Sequence, residues 1–267
     1  MSPIHPTAII DPAAEVDPTA EIGPYVVIEG PARIGPRTRL LARAFVTGNV
    51  TLGADNVVGY NVSIGLPPQH LGWKGDDWGV VVGDRNNFRE HVTIHRGYEP
   101  ENPTVIGDDN LMMVGAHIPH DCVIHNHTII VNYAQLGGHS EIFDRAVLSG
   151  FVGIHQFCRV GRLCMMGAYA IATQDVPPFM TMGHGRFVRG LNIIGMRRAG
   201  MDAATRASIK AAYKLLYHSG LNVRNAVDRM EQEMGDVPEV REMVDFIRSA
   251  KRGIVAHGSR DSANTGE

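Results

Sequence analysis

The sequence predicts a mainly β protein: a parallel β-helix over residues 1–175, followed by a C-terminal helical domain. Three observations predict it. Stepping by six from Ile4 to Met166 lands on an apolar residue at 25 of 28 positions, failing only at His70, Asp76 and Pro100. Glycine often follows the repeated residue, as at Gly23, Gly35, Gly59, Gly137 and Gly161. Beyond residue 175 the apolar period becomes helical. Neither a helix nor a plain strand gives a phase-locked period of six. A hexapeptide repeat is the sequence mark of stacked β-coils.

Three repeats make one triangular coil, so residue i lies beneath i+18. The aliphatic ladder then points inward, where β-branched Ile and Val suit a pleated surface. The glycines are expected at tight corners, and Asp55, Asn56, Asp84, Asn86, Asp108 and Asn110 in the same turn role. Two stretches keep phase but lose pattern, 65–80 (GLPPQHLGWKGDDWGV) and 96–104 (RGYEPENPT), and read as loops thrown out of the coil. The prolines of QDVPPF end the ladder, and 176–200 reads as a connecting segment. The helical domain spans 201–253. Asp202 is its N-cap, Gly220 closes the first helix, and further helices follow around Val223–Met234 and Val240–Ile247. Residues 254–267 read as a flexible tail.

Composition narrows the function. A net charge of −3 gives no sign of nucleic-acid binding, and no run approaches a signal peptide or a membrane span. Three cysteines, Cys122, Cys158 and Cys164, suit a reducing cytoplasm better than a disulfide framework. Between residues 197 and 224, Arg197, Arg198, Arg206, Lys210, Lys214 and Arg224 face Asp202 alone, a local +5 that suits an acidic partner or a solvated helix face. One aliphatic residue in six is a thin core against the ordering entropy, so an oligomer is expected.

Coil arithmetic gathers a polar cluster. His139 lies one coil above Asp121, Gly138 one above His120, and Gln156, beside His155, two above. A histidine near its ordinary pKa suits general-base catalysis, with Asp121 orienting it and the Gly138 N–H meeting an oxyanion. Three imidazoles around an open zinc position fit as well, as does a row of unrelated surface histidines.

At these residues the chain resembles the bacterial acyl-(acyl-carrier-protein)–UDP-N-acetylglucosamine O-acyltransferases, which begin lipid A synthesis. The matching strings are GDRNNFREHVTIHRG (83–97), AHIPHDCVI (116–124), GGH (137–139), GIHQF (153–157), QDVPPF (174–179), GLNIIGMRR (190–198) and AYKLLYHSG (212–220). The resemblance implies a left-handed parallel β-helix, against the usual crossover hand, and a homotrimer with sites at subunit junctions. It implies transfer of a 3-hydroxyacyl group from acyl carrier protein to the 3-hydroxyl of UDP-N-acetylglucosamine, with no metal or cofactor. It makes His120 the general base, Asp121 its orienting carboxylate and Gly138 the oxyanion donor. His117, His139, His155 and Gln156 become substrate contacts, Gln69 the contact to the sugar, and Asn192, Arg197 and Arg198 the nucleotide side.

Departures from that family are specific. His70 stands where members commonly have Asp, which leaves a 3-amino UDP-sugar as an alternative acceptor. Ile194 and Ala199 replace an acidic and a basic residue. Ala168, beside Met165 and Met166, puts a methyl where the acyl tail is measured, which implies a shorter chain. The rivals are a γ-class carbonic anhydrase, for which only His91 and His127 have the spacing and Asn132 stands in the third place, and a non-catalytic β-helix scaffold.

Overall fold

The computed structural model describes residues 3–258. It is a left-handed parallel β-helix whose short strands stack into three sheets of nine, eight and ten strands. Consecutive coils pair in parallel at an offset of 18, as in Glu15↔Arg33 and Val123↔Glu141. The nine-stranded sheet is face one, the eight-stranded sheet face two and the ten-stranded sheet face three. The first corner joins faces one and two, the second faces two and three, and the third returns to face one.

The ladder is buried as expected from Ile22 onward, with Ile28, Ile64, Ile94, Ile118 and Ile130 fully inaccessible. A second buried row lies two positions before each ladder residue and went unrecognised in the sequence. It holds small side chains such as Val26, Ala32, Val62, Ala116, Ala134 and Val152, each fully buried. The core therefore takes two positions of every repeat rather than one. All three cysteines belong to this row, which explains their positions as small apolar fillers. Asn56, Asn86 and Asn110 belong to it too, correcting their assignment to turns. Each Oδ1 accepts the backbone N–H of the next member, at 2.9 Å to Asn86, 3.0 Å to Asn110 and 2.8 Å to Thr128, so the amides climb the interior as a satisfied chain.

The corners also differ from expectation. Of the ten glycines that directly follow a ladder residue, only Gly65 has a positive φ. The left-handed conformation falls two positions later, on ordinary side chains: Tyr133, His139, Arg145, Phe151, Phe157, Leu163 and Tyr169 all have φ between 56° and 63°. Such residues cost energy in isolation. Here each N–H donates to the coil beneath, as His139 does to the His120 carbonyl at 3.1 Å and Phe157 to Gly138 at 3.0 Å. The ladder-following glycines are needed for close approach instead. A Cβ on Gly59 would lie 2.5 Å from the Phe88 carbonyl oxygen.

Both loops leave the first corner. Across them the pairing offset lengthens, at Ser63↔Thr93 by two whole hexapeptides and at Val80↔Thr104 by one. Because each insertion is a whole number of repeats, the phase survives it.

Parallel stacking runs into the expected connecting segment: Met180–Met182 pairs with Met165–Met166, and Val188–Leu191 turns back antiparallel onto it. Four helices follow: α1 (Ile193–Arg198), α2 (Ala203–His218), α3 (Val223–Met234) and α4 (Pro238–Arg248). Asp202 caps α2, accepting the Thr205 N–H at 2.8 Å, and Gly220 closes it at φ 75°. Arg159 ties α4 to the prism, stacking over Phe246 at 4.3 Å and pairing with buried Asp175 at 2.8 Å. Residues 254–258 depart from the expected tail. Ile254 and His257 form parallel bridges to Asp175 and Val188, and Val255 is 2% exposed. The remainder of that tail, 259–267, lies outside the described residues. Among the described residues no helix is long and apolar enough to cross a membrane.

Gly59→Ala is expected to lower the unfolding free energy by about 1–3 kcal/mol through forced coil separation, read as a lower urea midpoint. Gly190→Ala, where a Cβ meets nothing within 4 Å, is the control. Equal midpoints would remove the close-approach explanation.

Candidate active site

The first corner collects the chemistry. His120 and Asp121 form its turn one coil above the 96–104 loop, and both are buried. Asp121 is held in the left-handed region at φ 58°, its own N–H donating to Thr104 Oγ1 at 3.0 Å. Oδ2 accepts the His120 Nδ1–H at 2.6 Å. Oδ1 accepts three donors from the loop beneath: the N–H groups of Tyr98 (3.0 Å) and Glu99 (3.1 Å), and Asn102 Nδ2 (3.1 Å). A carboxylate so bonded holds the imidazole through Nδ1 and leaves Nε2 without a hydrogen-bond partner among the described residues. Burial alone would raise the Asp121 pKa. The bonds from His120, Glu99 and Tyr98 outweigh it and hold the carboxyl below its ordinary value.

Gly138 lies against the His120 ring: a Cβ there would sit 2.5 Å from Cε1. Its N–H bonds to no other described residue. His139 also reaches Asp121, at 3.5 Å, and its ring stacks on Phe157 at 4.3 Å. Burial pulls the His139 pKa down, with Asp121 opposing. His117 stands outward on face one, hydrogen-bonded to Thr93 Oγ1 at 2.8 Å, and burial drives its pKa to about 4. His155 and Gln156 are exposed on the same corner, His155 Nδ1 bonding the Gln156 carbonyl at 3.1 Å. Gln69 is exposed in the first loop.

Other expected residues lie elsewhere. Ala168 is exposed at the third corner beside a stack of Tyr133, Phe151 and Tyr169, while Met166 is a core residue and lines no outer groove. Asn192 sits at the second corner with its side chain committed: Oδ1 accepts the Gly195 N–H at 2.9 Å and Nδ2 donates to Leu163 O at 2.8 Å. It caps α1, which carries exposed Arg197 and Arg198. Within one chain these three do not join the histidine cluster.

Sequence reasoning named His70 only as a departure at the acceptor, and it missed three further members of the cluster, Tyr98, His95 and Phe157. His70 lies 5.6 Å from His120 between ring centroids and 4.0 Å from Tyr98, whose own ring is 5.7 Å from His120. His95 is 5% exposed and lies 5.1 Å from His117, ring to ring. Phe157 backs His139. The inserted loops hid Tyr98, His95 and the placing of His70 beside His120, because their lengths shift the coil arithmetic.

Two other chemistries weaken here. The carbonic-anhydrase spacing ignored those insertions: His91 lies on the third corner and His127 on the second. His120, Asp121 and His139 do each present a donor atom within 4.8 Å of one another. Burial raises Cys122 and Cys164 to about 12 and Cys158 to about 11, so none is a ready nucleophile.

Similarity to known proteins now has a site to attach to. A family described as UDP N-acetylglucosamine O-acyltransferase, domain 2, matches residues 175–255. The acyl-(acyl-carrier-protein)–UDP-N-acetylglucosamine O-acyltransferase of Thermodesulfovibrio yellowstonii is 41% identical over 95% of this chain and 99% of its own. That of Verminephrobacter eiseniae is 42% identical over 96% and 100%. The chain belongs to this O-acyltransferase family. The crystal structure of the Francisella novicida UDP-N-acetylglucosamine acyltransferase matches with a TM-score of 0.92 at 34% identity, covering 99% of both chains. The Bacteroides fragilis acyltransferase structure matches at 0.91 and 37% identity, covering 94% of this chain and 99% of its own.

The buried histidines set a pH response. Burial brings the His117 pKa from 6.5 down to about 4, so between those values the unfolded chain binds more protons, and stability rises with pH and is lost as pH drops. His95 and His139, also lowered by burial, act in the same direction. His125, raised by its bond to Glu141, acts oppositely. Asp121 loses its contribution only at lower pH, below its ordinary 3.8. His117→Gln is expected to flatten the fall in melting temperature as pH drops across this window. Parallel slopes in the two proteins would mean that water reaches His117 in the fold.

Proposed function

We propose that this protein transfers a 3-hydroxyacyl chain from acyl carrier protein to the 3-hydroxyl of UDP-N-acetylglucosamine, the first step of lipid A biosynthesis, as a cytoplasmic homotrimer. Besides family membership, one observation carries the reading: a buried His120–Asp121 pair with a free Nε2, against an unbonded Gly138 N–H. His120 Nε2 takes the proton of the attacking sugar hydroxyl as its oxygen bonds to the thioester carbonyl carbon. Asp121 stabilises the imidazolium without taking the proton. The Gly138 N–H meets the developing oxyanion. Collapse breaks the carbon–sulfur bond, and the imidazolium returns the proton to the leaving thiolate.

The division of residues among corners supports the trimer. The base sits at the first corner, the acyl-tail position Ala168 at the third, and Arg197 and Arg198 at the far end of the second. Neighbouring prisms would bring such edges together. Arg197 and Arg198 suit a pyrophosphate through charge-assisted bonds, with Asn192 acting by capping the helix that bears them. The carrier's acidic surface suits α2, where Lys210 and Lys214 border a cavity of about 430 Å³ with Tyr213 and His218.

The test is transfer from 3-hydroxyacyl carrier protein by metal-free enzyme to UDP-N-acetylglucosamine, with the 3-amino sugar in parallel. Turnover on the first sugar is expected, and silence on both would sink the reading. His120→Ala should lower turnover about 10²–10⁴-fold with the oligomer intact; a loss under tenfold would place the base elsewhere. A panel of acyl lengths should favour short or medium chains, and Ala168→Gly should shift the preference longer. A wild-type optimum at the longest chain would overturn that role for Ala168.

A further inference from the structure

The loop 65–80 must carry Gln69 and His70 over the first corner, yet its apex packs against little. Leu71 is fully exposed, and Gln69 and His70 are exposed as well. Its position is therefore set by its two legs, and three consecutive residues of the next coil grip both. The His95 Nδ1–H donates to the Pro67 carbonyl on the outgoing leg at 2.6 Å. The Gly97 N–H donates to Gly79 on the return leg at 3.0 Å. Arg96, between them, holds both legs at once. Its backbone N–H donates to Leu66 at 3.0 Å, its Nε to the Gly65 carbonyl at 2.7 Å, and its guanidinium pairs with Asp77 at 2.8 Å.

The pair is also pinned to the coil below. Arg96 Nη2 reaches the Thr47 carbonyl at 3.3 Å, and Asp77 Oδ2 accepts the Asn49 N–H at 2.9 Å. The Arg96 side chain keeps 10% of its exposure and that of Asp77 30%. Gly48 makes the room: a Cβ there would lie 2.6 Å from Arg96 Nη2 and closer still to the Asp77 carboxylate. A largely desolvated ion pair is a poor way to gain stability. What it supplies is direction, because a guanidinium fork accepts few geometries. Two positions on, Tyr98 packs its ring against His70 at 4.0 Å, tilted by 34°, and donates its N–H to Asp121 Oδ1 at 3.0 Å. One short stretch, 95–98, therefore sets both the loop and the carboxylate behind the base.

We propose that Arg96 and Asp77 are a positioning pair for acceptor binding, holding residues 65–80 so that Gln69 and His70 stand beside His120. The inference rests on the acyl-transfer reading above. Neither residue touches His120 or Asp121. Breaking the pair loosens the loop and spares the proton-transfer dyad, so the effect falls on the nucleotide sugar and not on the acyl donor.

The experiment compares Arg96→Ala, Asp77→Asn, their double variant and Arg96→Lys with the parent in the full chain. Hydrogen exchange of residues 66–79, the Kd for UDP-N-acetylglucosamine and the KM for the acyl carrier substrate are measured for each. Faster loop exchange is expected in both single variants, with a Kd weakened about tenfold or more and a donor KM within about twofold of the parent. The double variant should be no worse than the poorer single one, and Arg96→Lys intermediate, because lysine keeps the charge without the fork. Unchanged loop exchange, an additive double variant, or equal losses for both substrates would overturn the proposal. A parent protein that binds the sugar but transfers nothing would instead sink the acyl-transfer reading, while exchange and Kd still decide the pair. Asp77→Asn, nearly isosteric, keeps the test open if Arg96→Ala fails to fold.

Discussion

The register of each coil on the one beneath governs the rest of the molecule. At an offset of 18, ladder residues meet their own kind, and most left-handed corners find a carbonyl below for the N–H, the others a threonine hydroxyl. The hydrogen bonds do not merely decorate the corners; they offset the conformational cost of placing residues such as Phe157 and Leu163 at positive φ. The glycines that follow the ladder serve the same register from the other side, by letting backbone approach backbone. A slip of a single position would expose the ladder, drive a side chain into that gap and strand the corner N–H groups together. Ladder, corner and close approach thus specify one stacking, and each makes the other two necessary.

The first corner is an exploitation of that register. Insertions of two repeats and of one leave the coil phase intact while lifting two loops from one edge. In the coil above them, the turn residue is Asp121. It takes the same left-handed conformation as its equivalents, but its N–H goes to Thr104 Oγ1. Its carboxylate then receives the N–H groups that the displaced loop can no longer use within the coil. A buried negative charge is tolerable here because four donors converge on it. The outcome is an imidazole held through Nδ1 on backbone geometry, the most rigid support the fold offers.

The legibility of the sequence follows from the same physics. The ladder is visible because only bulky aliphatic residues fill the prism, and His120, Asp121, Gly138 and His139 group correctly because no insertion separates their coils. The second buried row was invisible because Ala, Val, Cys, Thr and Asn share no hydrophobic signature; they share a size. The glycines were found, but for the wrong reason, since a corner and a close approach look alike in one dimension. His95 and Tyr98 were missed, His70 was named without its place beside His120, and His91 was wrongly paired with His127, because an insertion of unknown fold changes which residues are neighbours. The segment 254–258 read as frayed since its anchors, Asp175 and Val188, lie in the prism rather than in the helices.

A single prism holds the His120–Asp121 pair and the Gly138 N–H together, yet it scatters the other residues that the proposed reaction would need. A nucleotide sugar with two phosphates needs cations, and the exposed pair Arg197 and Arg198 stands on α1 near the second corner. A long acyl chain needs a dry apolar trough, and one triangular prism is convex along every edge. Phe151, Tyr169 and Ile171 lie along face one and its third corner and stay about half exposed among the described residues. A trough between two parallel prisms would resolve both demands, since it is concave where each prism is convex and joins different corners. Under the proposed acyl transfer, assembly would be a demand of the chemistry, over and above anything it adds to a core that already fills two positions in every repeat.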